Sequence, residues 1–272
     1  MRILFCGDVV GRSGRRALLD RLPGLRARLE LDLVVVNGEN AAGGFGITPA
    51  LCREFYAAGT DVITTGNHVF DQRALIPEID QDQRLIRPLN MLAGTPGRGA
   101  IELQLASGLR VVVLQVMGRL FMGTYDDPFT ALEAALARHR LGAGVAAVVV
   151  DVHAEATSEK MALGHFLDGR ATVVAGTHTH VPTADAQVLP GGTAYITDVG
   201  MTGDYDSVIG MAKDISLRRF RSHLPGARNT PALGEATLCA VLVESDDATG
   251  RALRIRPHRL GGRLLAAAPD GG

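Results

Sequence analysis

The chain has 272 residues and a formal net charge of −1, with 46% apolar and 21% charged residues. A chain of this length can bury one large α/β core, and the composition is typical of a globular protein rather than a disordered one. The near-neutral charge argues against a long nucleic-acid duplex as a partner, because duplex binding depends on clustered positive charge.

The cysteines and the amino terminus bear on the cellular compartment. Cys6, Cys52 and Cys239 have neither metal-ligand spacing nor the even number of a disulfide framework, so we expect buried thiols in a reducing compartment. The amino-terminal sequence MRILFCGD lacks the pattern of a secretion signal, and no window approaches the ~20 consecutive apolar residues of a membrane span. A cytoplasmic protein without a membrane segment is therefore expected.

Short β-branched runs recur along the chain and are separated by turns rich in glycine and polar residues. Such continuous apolar runs are typical of strands that are buried on both faces. In chain order, the predicted strands are residues 3–6, 33–36, 62–65, 111–116, 145–150, 171–175 and 194–197. Between them, Thr48 and Asp127 each precede a proline and predict helix starts, and Ser158 is expected to cap a third helix. Strands that alternate with helices predict a layered α/β domain.

Two stretches predict β-hairpins inside this α/β chain. Residues 101–116 and residues 237–257 each contain two apolar runs joined by a short polar link. Hairpins of this kind indicate a mixed sheet, or two sheets packed face to face. Since no internal repeat or interdomain linker is present, we predict a single domain over residues 1–258. A C-terminal tail over residues 259–272 is expected to be frayed from Gly261.

Polar or ionisable residues follow most of the predicted strands. In chain order they are Asp8, Asn37, Glu39, Asn40, Asn67, His68, Asp71, Asp151, His153, Glu155, His178, His180 and Asp198. Each one alone is explained as turn or helix-cap chemistry, or as a hydrogen-bonded structural histidine. Their recurrence at successive strand ends predicts a shared site, because the carboxyl ends of strands in open α/β sheets form binding sites. His178 and His180 are the strongest pair, since alternate residues of an extended segment face the same side.

The donor types in this set point to transition metals. Carboxylates and amide oxygens are hard ligands, imidazoles are borderline ligands, and no thiolate takes part, which favours Mn²⁺, Fe or Zn²⁺ over Ca²⁺. The donors are too many for a single ion. Two ions about 3.5–4 Å apart would use them and would clamp the attacking and leaving oxygens of a phosphoryl displacement.

Several of these motifs resemble the calcineurin-like metallophosphoesterases. The matching residues are Asp8, Gly38-Glu39-Asn40, Gly66-Asn67-His68, His153 and the segment GTHTH at 176–180. More narrowly, the stretches GDVVGRSGR, VVVNGENAAGGFGIT, TTGNHVFD, DVHAEATSEK, GTHTHVPTAD and TDVGMTG resemble the YmdB-like branch, as far as Pro257. The resemblance implies a four-layer αββα sandwich, in which two packed mixed sheets are flanked by helices and a dinuclear site lies between the sheets. It also implies a bacterial phosphodiesterase that acts on cyclic nucleotides, including 2′,3′-cyclic ones.

The resemblance also implies a set of metal ligands. One ion would be held by Asp8, Glu39, Asn40 and His180, and the other by Glu39, Asn67, His153 and His178. The assignment of His178 and His180 to the two ions stays open. Two departures from the superfamily pattern are present, because Val10 replaces a ligand histidine and Glu39 replaces the bridging aspartate. Iron or manganese is the expected metal, with zinc as the alternative.

His68 directly follows a predicted ligand, and in the superfamily the equivalent position protonates the leaving oxygen. The resemblance implies the same role here, with a metal-bridging hydroxide as nucleophile and a small cyclic nucleotide as substrate. In the loop after Asn40, Phe45 either stacks on a base or covers the site, and Glu155 is expected to orient a ligand histidine. The remaining histidines are expected to have ordinary roles; they are His139, His165, His223 and His258.

Two other functions fit the same motifs. A broader phosphatase or nuclease would use the same site, although the aromatic content (no Trp, four Tyr and eight Phe) argues against the binding of long single strands. A nucleotide-binding regulatory protein with incidental hydrolysis is the third interpretation. The sequence leaves open the native metal, the physiological substrate and whether the chain forms a homo-oligomer.

Overall fold

The computed structural model describes residues 1–222 and 228–267. In chain order, the elements are β1 (Arg2–Cys6), α1 (Gly11–Arg28), β2 (Leu33–Asn37), α2 (Pro49–Ala57), β3 (Val62–Thr64), a 3₁₀ turn (Arg73–Leu75), β4 (Ala100–Gln104), β5 (Arg110–Met117), α3 (Pro128–Leu136), β6 (Ala147–His153), α4 (Thr157–Phe166), β7 (Val173–Thr177), β8 (Gln187–Val188), β9 (Ala194–Ile196), β10 (Gly203–Asp204), α5 (Lys213–Arg221), β11 (Ala236–Ser245) and β12 (Ala252–Leu260). None of these helices is long and apolar enough to cross a membrane.

The described strands form two sheets, and each sheet combines parallel with antiparallel pairs. In the first sheet, β1, β2 and β3 run parallel, and β11 pairs antiparallel with β1, β10 and β12. In the second sheet, β5, β6, β7 and β9 run parallel, while β4 and β8 pair antiparallel at the two edges. The two predicted hairpins are confirmed as β4–β5 and β11–β12. Because parallel strands direct their carboxyl ends to the same edge of a sheet, the polar residues that follow them are brought together.

Strand alternation sorts the apolar side chains of the described residues into separate cores. In β1, Ile3 and Phe5 join the core between the two sheets, whereas Leu4 and Cys6 join the core that contains the buried faces of α1 and α2. A further core lies between the second sheet and helices α3 and α4. The order of layers is therefore helix, sheet, sheet, helix. The expected four-layer αββα sandwich of two mixed sheets is confirmed.

Two of the three predicted helix starts are confirmed. At the starts of α2 and α3, the side chains of Thr48 and Asp127 accept a hydrogen bond from a backbone N–H of the first turn, at 3.3 Å and 2.9 Å. The prediction that Ser158 caps α4 is wrong. That helix begins one residue earlier, at Thr157, and its N-cap residue is Ala156, which has no side-chain hydrogen-bonding group.

Two central strands continue further than the apolar runs predict. β6 ends at His153 instead of residue 150, and β7 ends at Thr177 instead of residue 175. The extension follows from pairing within the sheet, because His153 pairs with Met117 on one side and with Thr177 on the other. His153 therefore lies on a strand with neighbours on both sides, and not on a loop.

The C-terminal segment folds back on β12. Arg259 and Ala267 exchange two backbone hydrogen bonds, of 2.6 Å and 3.1 Å. The expectation of a tail frayed from Gly261 is therefore wrong as far as this pair, and residues 268–272 lie outside the described part of the chain. The predicted domain boundary at residue 258 falls within β12, and the division into domain and tail stays a prediction.

Candidate metal centre

The predicted donors come together where the carboxyl ends of the two sheets meet. The first sheet contributes Asp8 after β1, Glu39 and Asn40 after β2, and Asn67 after β3, and the second sheet contributes His153 at the end of β6 and His178 and His180 after β7. Asp8, Glu39 and His153 are at most 1% exposed. Charged side chains are almost never buried this deeply unless they are paired. Burial of this kind distinguishes these residues from ordinary turn residues.

Donor atoms from three other residues gather around the Nε2 atom of His153. It lies 2.9 Å from Glu39 Oε1, 3.2 Å from Asn67 Oδ1 and 3.1 Å from His178 Nδ1. The ligand atoms of Glu39, His153 and His178 all lie within 4.8 Å of one another. Two imidazoles, a carboxylate and an amide oxygen thus face one region, and this mixture suits manganese, iron or zinc.

A second group of donors contains His180, Asn40 and Asp8. His180 Nε2 lies 3.2 Å from Asn40 Oδ1, while the Asn40 amide nitrogen donates to the Gly44 carbonyl at 3.0 Å, which turns the amide oxygen towards the imidazole. Asp8 Oδ2 accepts a hydrogen bond from the backbone N–H of His178 at 3.2 Å. Its Oδ1 is buried and receives no hydrogen bond from the described residues. A buried carboxylate oxygen without a donor is the kind of atom that a cation would satisfy.

A chain of hydrogen bonds fixes the His153 ring through its Nδ1 atom. Its Nδ1 lies 2.8 Å from Thr177 Oγ1, and this hydroxyl donates to Asp151 Oδ1 at 2.6 Å. Asp151 Oδ2 also accepts from Asn37 Nδ2 at 3.0 Å and from Gln115 Nε2 at 3.1 Å. Because the hydroxyl proton points to the carboxylate, the hydroxyl oxygen accepts from Nδ1–H of the imidazole. Nε2 is then the ring nitrogen that faces the other donors.

Burial and neighbouring charges act in opposite directions on the pKa values of Glu39 and His153, whereas burial and the charge of His153 act in the same direction on the pKa of His178. Burial raises the pKa of Glu39, but the charge and hydrogen bond of His153 outweigh it and lower the pKa to about 2. Burial lowers the pKa of His153, but the charges of Glu39 and Asp8 outweigh it and raise the pKa to about 9. Burial and the charge of His153 lower the pKa of His178 to about 3. Glu39 and His153 therefore stabilise each other's charged form inside the protein.

The side chains of Glu39 and His153 pack closely against the backbone at Gly66. A Cβ atom at this position would overlap Glu39 Oε2 and His153 Nε2. The mixed oxygen and nitrogen donors and the buried oxygen of Asp8, which receives no hydrogen bond from the described residues, both fit bound metal ions.

The His68 ring lies beside the donors and is directed to Asp71. His68 Nδ1 lies 2.8 Å from Asp71 Oδ2, and the His68 backbone N–H donates to Glu39 Oε2 at 3.2 Å. Phe45 meets the imidazole edge-on, with 5.2 Å between the ring centroids. Because Nδ1 contacts the carboxylate, Nε2 is the ring nitrogen that is directed away from Asp71. Sequence reasoning did not pair Asp71 with His68, although their separation of three residues was a usable signal.

The remaining sequence predictions have different outcomes. Glu155 Oε2 lies 3.4 Å from His178 Nε2, and the expected role of Glu155 in orienting a ligand histidine stays a prediction. His139 pairs with an acidic residue of β4 at 3.3 Å, and His223 lies outside the described residues. The support that Thr177 gives to His153 was missed, because a threonine at the end of an apolar run carries no metal-site signal.

The fold and the donor set together define a metallophosphoesterase. A family model described as "YmdB-like protein" matches residues 4–258, and the chain belongs to this family. It is 44% identical over 255 residues to the 2′,3′-cyclic-nucleotide 2′-phosphodiesterase of Bacillus subtilis (strain 168), an alignment that covers 94% of this chain and 95% of the relative.

Two solved structures are similar to this chain over almost its whole length. A hypothetical protein from Thermus thermophilus has a TM-score of 0.89 and 44% identity, and the match covers 97% of this chain and 100% of that one. A protein from Mycoplasma pneumoniae, described as a novel phosphatase, has a TM-score of 0.89 and 31% identity over 99% of this chain and 95% of that one. The two-sheet architecture is therefore shared with relatives of known structure.

Replacing Gly66 with alanine is expected to weaken Mn²⁺ binding by at least about tenfold, because the added methyl group displaces Glu39 or His153. Calorimetric titration of the metal-free protein with Mn²⁺ measures the affinity. Gly24→Ala is the matched control, since a Cβ at Gly24 meets no heavy atom within 4 Å. Equal affinities in the two variants would show that the side chains packed against Gly66 do not bind the metal.

Proposed function

We propose that this protein is a metal-dependent phosphodiesterase that hydrolyses the cyclic phosphate of 2′,3′-cyclic nucleotides. The observation that carries the proposal is the convergence of donors from both sheets on His153 Nε2, with Glu39, Asn67 and His178 atoms within 3.2 Å of it. The substrate class is supported by the relative from Bacillus subtilis, a 2′,3′-cyclic-nucleotide 2′-phosphodiesterase that is 44% identical over 94% of this chain.

Two metal ions are proposed to occupy adjacent positions in the site. We assign Asp8, Glu39, Asn40 and His180 to one ion, and Glu39, Asn67, His153 and His178 to the other. The contacts of His180 with Asn40 and of His178 with His153 support this division of the histidines. When bound, such ions neutralise charge on the phosphate and lower the pKa of water towards neutrality. Iron or manganese is proposed, with zinc as the alternative, because all three accept this donor set.

Glu39 is the residue that we assign to both ions. Its two carboxylate oxygens have different neighbours, since Oε1 lies 2.9 Å from His153 Nε2 and Oε2 accepts from the backbone N–H of His68 at 3.2 Å. The pKa of about 2 keeps this carboxylate ionised and able to bind cations at neutral pH. The contact with His68 also couples the position of the bridging carboxylate to the residue that would meet the substrate.

His68 is proposed to protonate the leaving oxygen. In the hydrolysis of a 2′,3′-cyclic phosphate at the 2′ position, water adds to phosphorus, the P–O2′ bond breaks, and O2′ takes a proton. Asp71 Oδ2 lies 2.8 Å from Nδ1, so the carboxylate fixes the ring and directs its Nε2 away from Asp71. The product of this reaction is a nucleoside 3′-phosphate.

Replacing His68 with alanine is expected to lower kcat by about 10²- to 10⁴-fold, the usual contribution of a positioned proton donor. Mn²⁺ affinity should stay unchanged, because the imidazole is not assigned to a metal ion. Steady-state kinetics on 2′,3′-cyclic AMP and a parallel Mn²⁺ titration measure the two quantities, with His139→Ala as the control. A loss of Mn²⁺ affinity equal to the loss of kcat would instead identify His68 as a metal ligand.

Phe45 is proposed to stack on the base of the nucleotide. Its half-buried ring lies beside His68, and its carbonyl is held by Gln72 Nε2 at 2.6 Å. Stacking of one base on an aromatic ring contributes about 1–3 kcal/mol, so Phe45→Ala should raise KM for 2′,3′-cyclic AMP by about 5- to 150-fold. A ribose 2′,3′-cyclic phosphate without a base is the control substrate. An equal rise in KM for both substrates would mean that Phe45 covers the site and does not read the base.

A panel of substrates separates the proposed function from the alternatives. We expect the metal-loaded protein to turn over 2′,3′-cyclic nucleotides faster than 3′,5′-cyclic nucleotides, a phosphomonoester or RNA, and we expect Glu39→Gln to abolish hydrolysis. Preferred turnover of the monoester or of RNA would support a broader phosphatase or nuclease. Absence of turnover of any diester would reject the proposed function. If a cell that carries only Glu39→Gln kept the function of the protein, a regulatory role would be supported.

A further inference from the structure

Lys160 is a fully buried lysine that lies outside the set of metal donors. It stands on α4, and its Nζ donates to Asp198 Oδ2 and to the Thr177 carbonyl, each at 2.7 Å. Both charged side chains are at most 1% exposed. Because a buried ion pair loses the solvation of both charges, its presence is weak evidence for a stabilising role. Its place beside the loop of His178 indicates a role in the site.

The same carboxylate binds the loop that carries two of the proposed ligands. Asp198 Oδ2 accepts hydrogen bonds from the Thr179 backbone N–H at 3.1 Å and from the Thr179 hydroxyl at 2.7 Å. Thr179 stands between the two histidines of this loop. Lys160 binds the carbonyl of Thr177, directly before His178. The ion pair therefore fixes the backbone on both sides of His178.

Both histidines of the loop have a backbone conformation that side chains rarely adopt. The φ angle is 93° at His178 and 67° at His180, in the left-handed region. A residue other than glycine is strained there and persists only where the surrounding contacts over-determine its position. The Lys160–Asp198 pair supplies such contacts before His180, and the Tyr205 hydroxyl donates to the His180 carbonyl at 3.1 Å. Loss of these contacts would let the loop relax and turn the imidazoles away from the first sheet.

The backbone of β7 has the shape that Lys160 needs. A Cβ atom at Gly176 would overlap the Thr197 carbonyl and would lie 3.0 Å from Lys160 Cδ. The lysine thus passes through space that a glycine leaves in the GTHTH segment. Three stretches that are conspicuous in the sequence, DVHAEATSEK, GTHTHVPTAD and TDVGMTG, meet at this one interaction, although the two charged residues are 38 positions apart.

We propose that Lys160 and Asp198 are positioning residues of the metal centre. Together they hold the segment His178-Thr179-His180 in the strained conformation that directs both imidazoles at the metal ions. The proposal rests on the proposed function, because the conformation of this segment affects catalysis only if the histidines are ligands. Lys160 contacts the Thr177 carbonyl and Asp198 contacts the Thr179 backbone N–H. Lys160 and Asp198 therefore act on the histidines through the backbone.

The double variant Lys160→Met/Asp198→Asn tests this role, because it removes both charges and leaves no uncompensated buried ion. The metal-free protein is titrated with Mn²⁺ in competition with a chromophoric chelator, and its unfolding by urea is followed in the same buffer. We expect Mn²⁺ binding about 10- to 100-fold weaker, as for other groups that orient metal ligands, with a small change in the urea midpoint. The control is Arg26→Met/Asp61→Asn, which removes a less buried ion pair of the same length, 2.7 Å, before the amino end of β3.

An unchanged Mn²⁺ affinity with a lowered urea midpoint would overturn the proposal, since the pair would then act on stability alone. Should the double variant fail to fold, Thr179→Val removes one hydrogen bond to Asp198 and keeps the ion pair. Weaker Mn²⁺ binding by Thr179→Val supports positioning, and unchanged binding overturns it. If the native protein binds Mn²⁺ but hydrolyses no diester, the proposed function fails while the affinity comparison still decides the positioning role. A native protein that binds none of Mn²⁺, Fe²⁺ and Zn²⁺ would overturn both.

Discussion

The buried contact between Glu39 and His153 is the interaction on which the rest of the site depends. It joins the carboxyl ends of the two sheets, and both side chains are at most 1% exposed. Breaking a buried ion pair by removing one partner costs about 3–5 kcal/mol, because the other charge is left uncompensated. The fold must therefore position the Glu39 and His153 side chains at the same time. On the histidine side, Thr177 of the neighbouring strand contacts the ring nitrogen Nδ1, and Asp151 in turn accepts a hydrogen bond from Thr177.

Close approach of backbone segments makes this positioning of the two side chains possible. A Cβ at Gly7 would overlap the carbonyl of Gly200, and a Cβ at Gly176 would overlap the carbonyl of Thr197. Since these glycines directly follow or lie within strands of opposite sheets, both sheets can come near the chain segment around Asp198. Packing therefore explains why Gly7 and Gly176 have no side chain.

The sequence predicts the layers and most of the donors because both leave local signals. Strands buried on both faces appear as unbroken β-branched runs, and the ligand types stand where those runs end. Contacts between distant segments leave no such signal. Lys160 and Asp198 are far apart in the chain, and Thr177 lies just past the end of a predicted strand, where a threonine resembles an ordinary turn residue. The same limit explains the early end predicted for β6, because pairing with neighbouring strands, and not hydrophobicity, carries that strand past a buried polar residue.

The metal centre concentrates features that oppose folding. Two histidines have left-handed backbone conformations, Asp8 has a buried oxygen that receives no hydrogen bond from the described residues, and burial opposes the charged form of His153. A ligand that binds only the folded state stabilises it by mass action, so an ion that satisfies these donors would offset part of their cost. Because the donors come from both sheets, that stabilisation would act across the sandwich and would not be confined to one loop. The arrangement that serves the chemistry would then also tie the two halves of the fold together, with the Lys160–Asp198 pair holding the histidine loop ready for the ions.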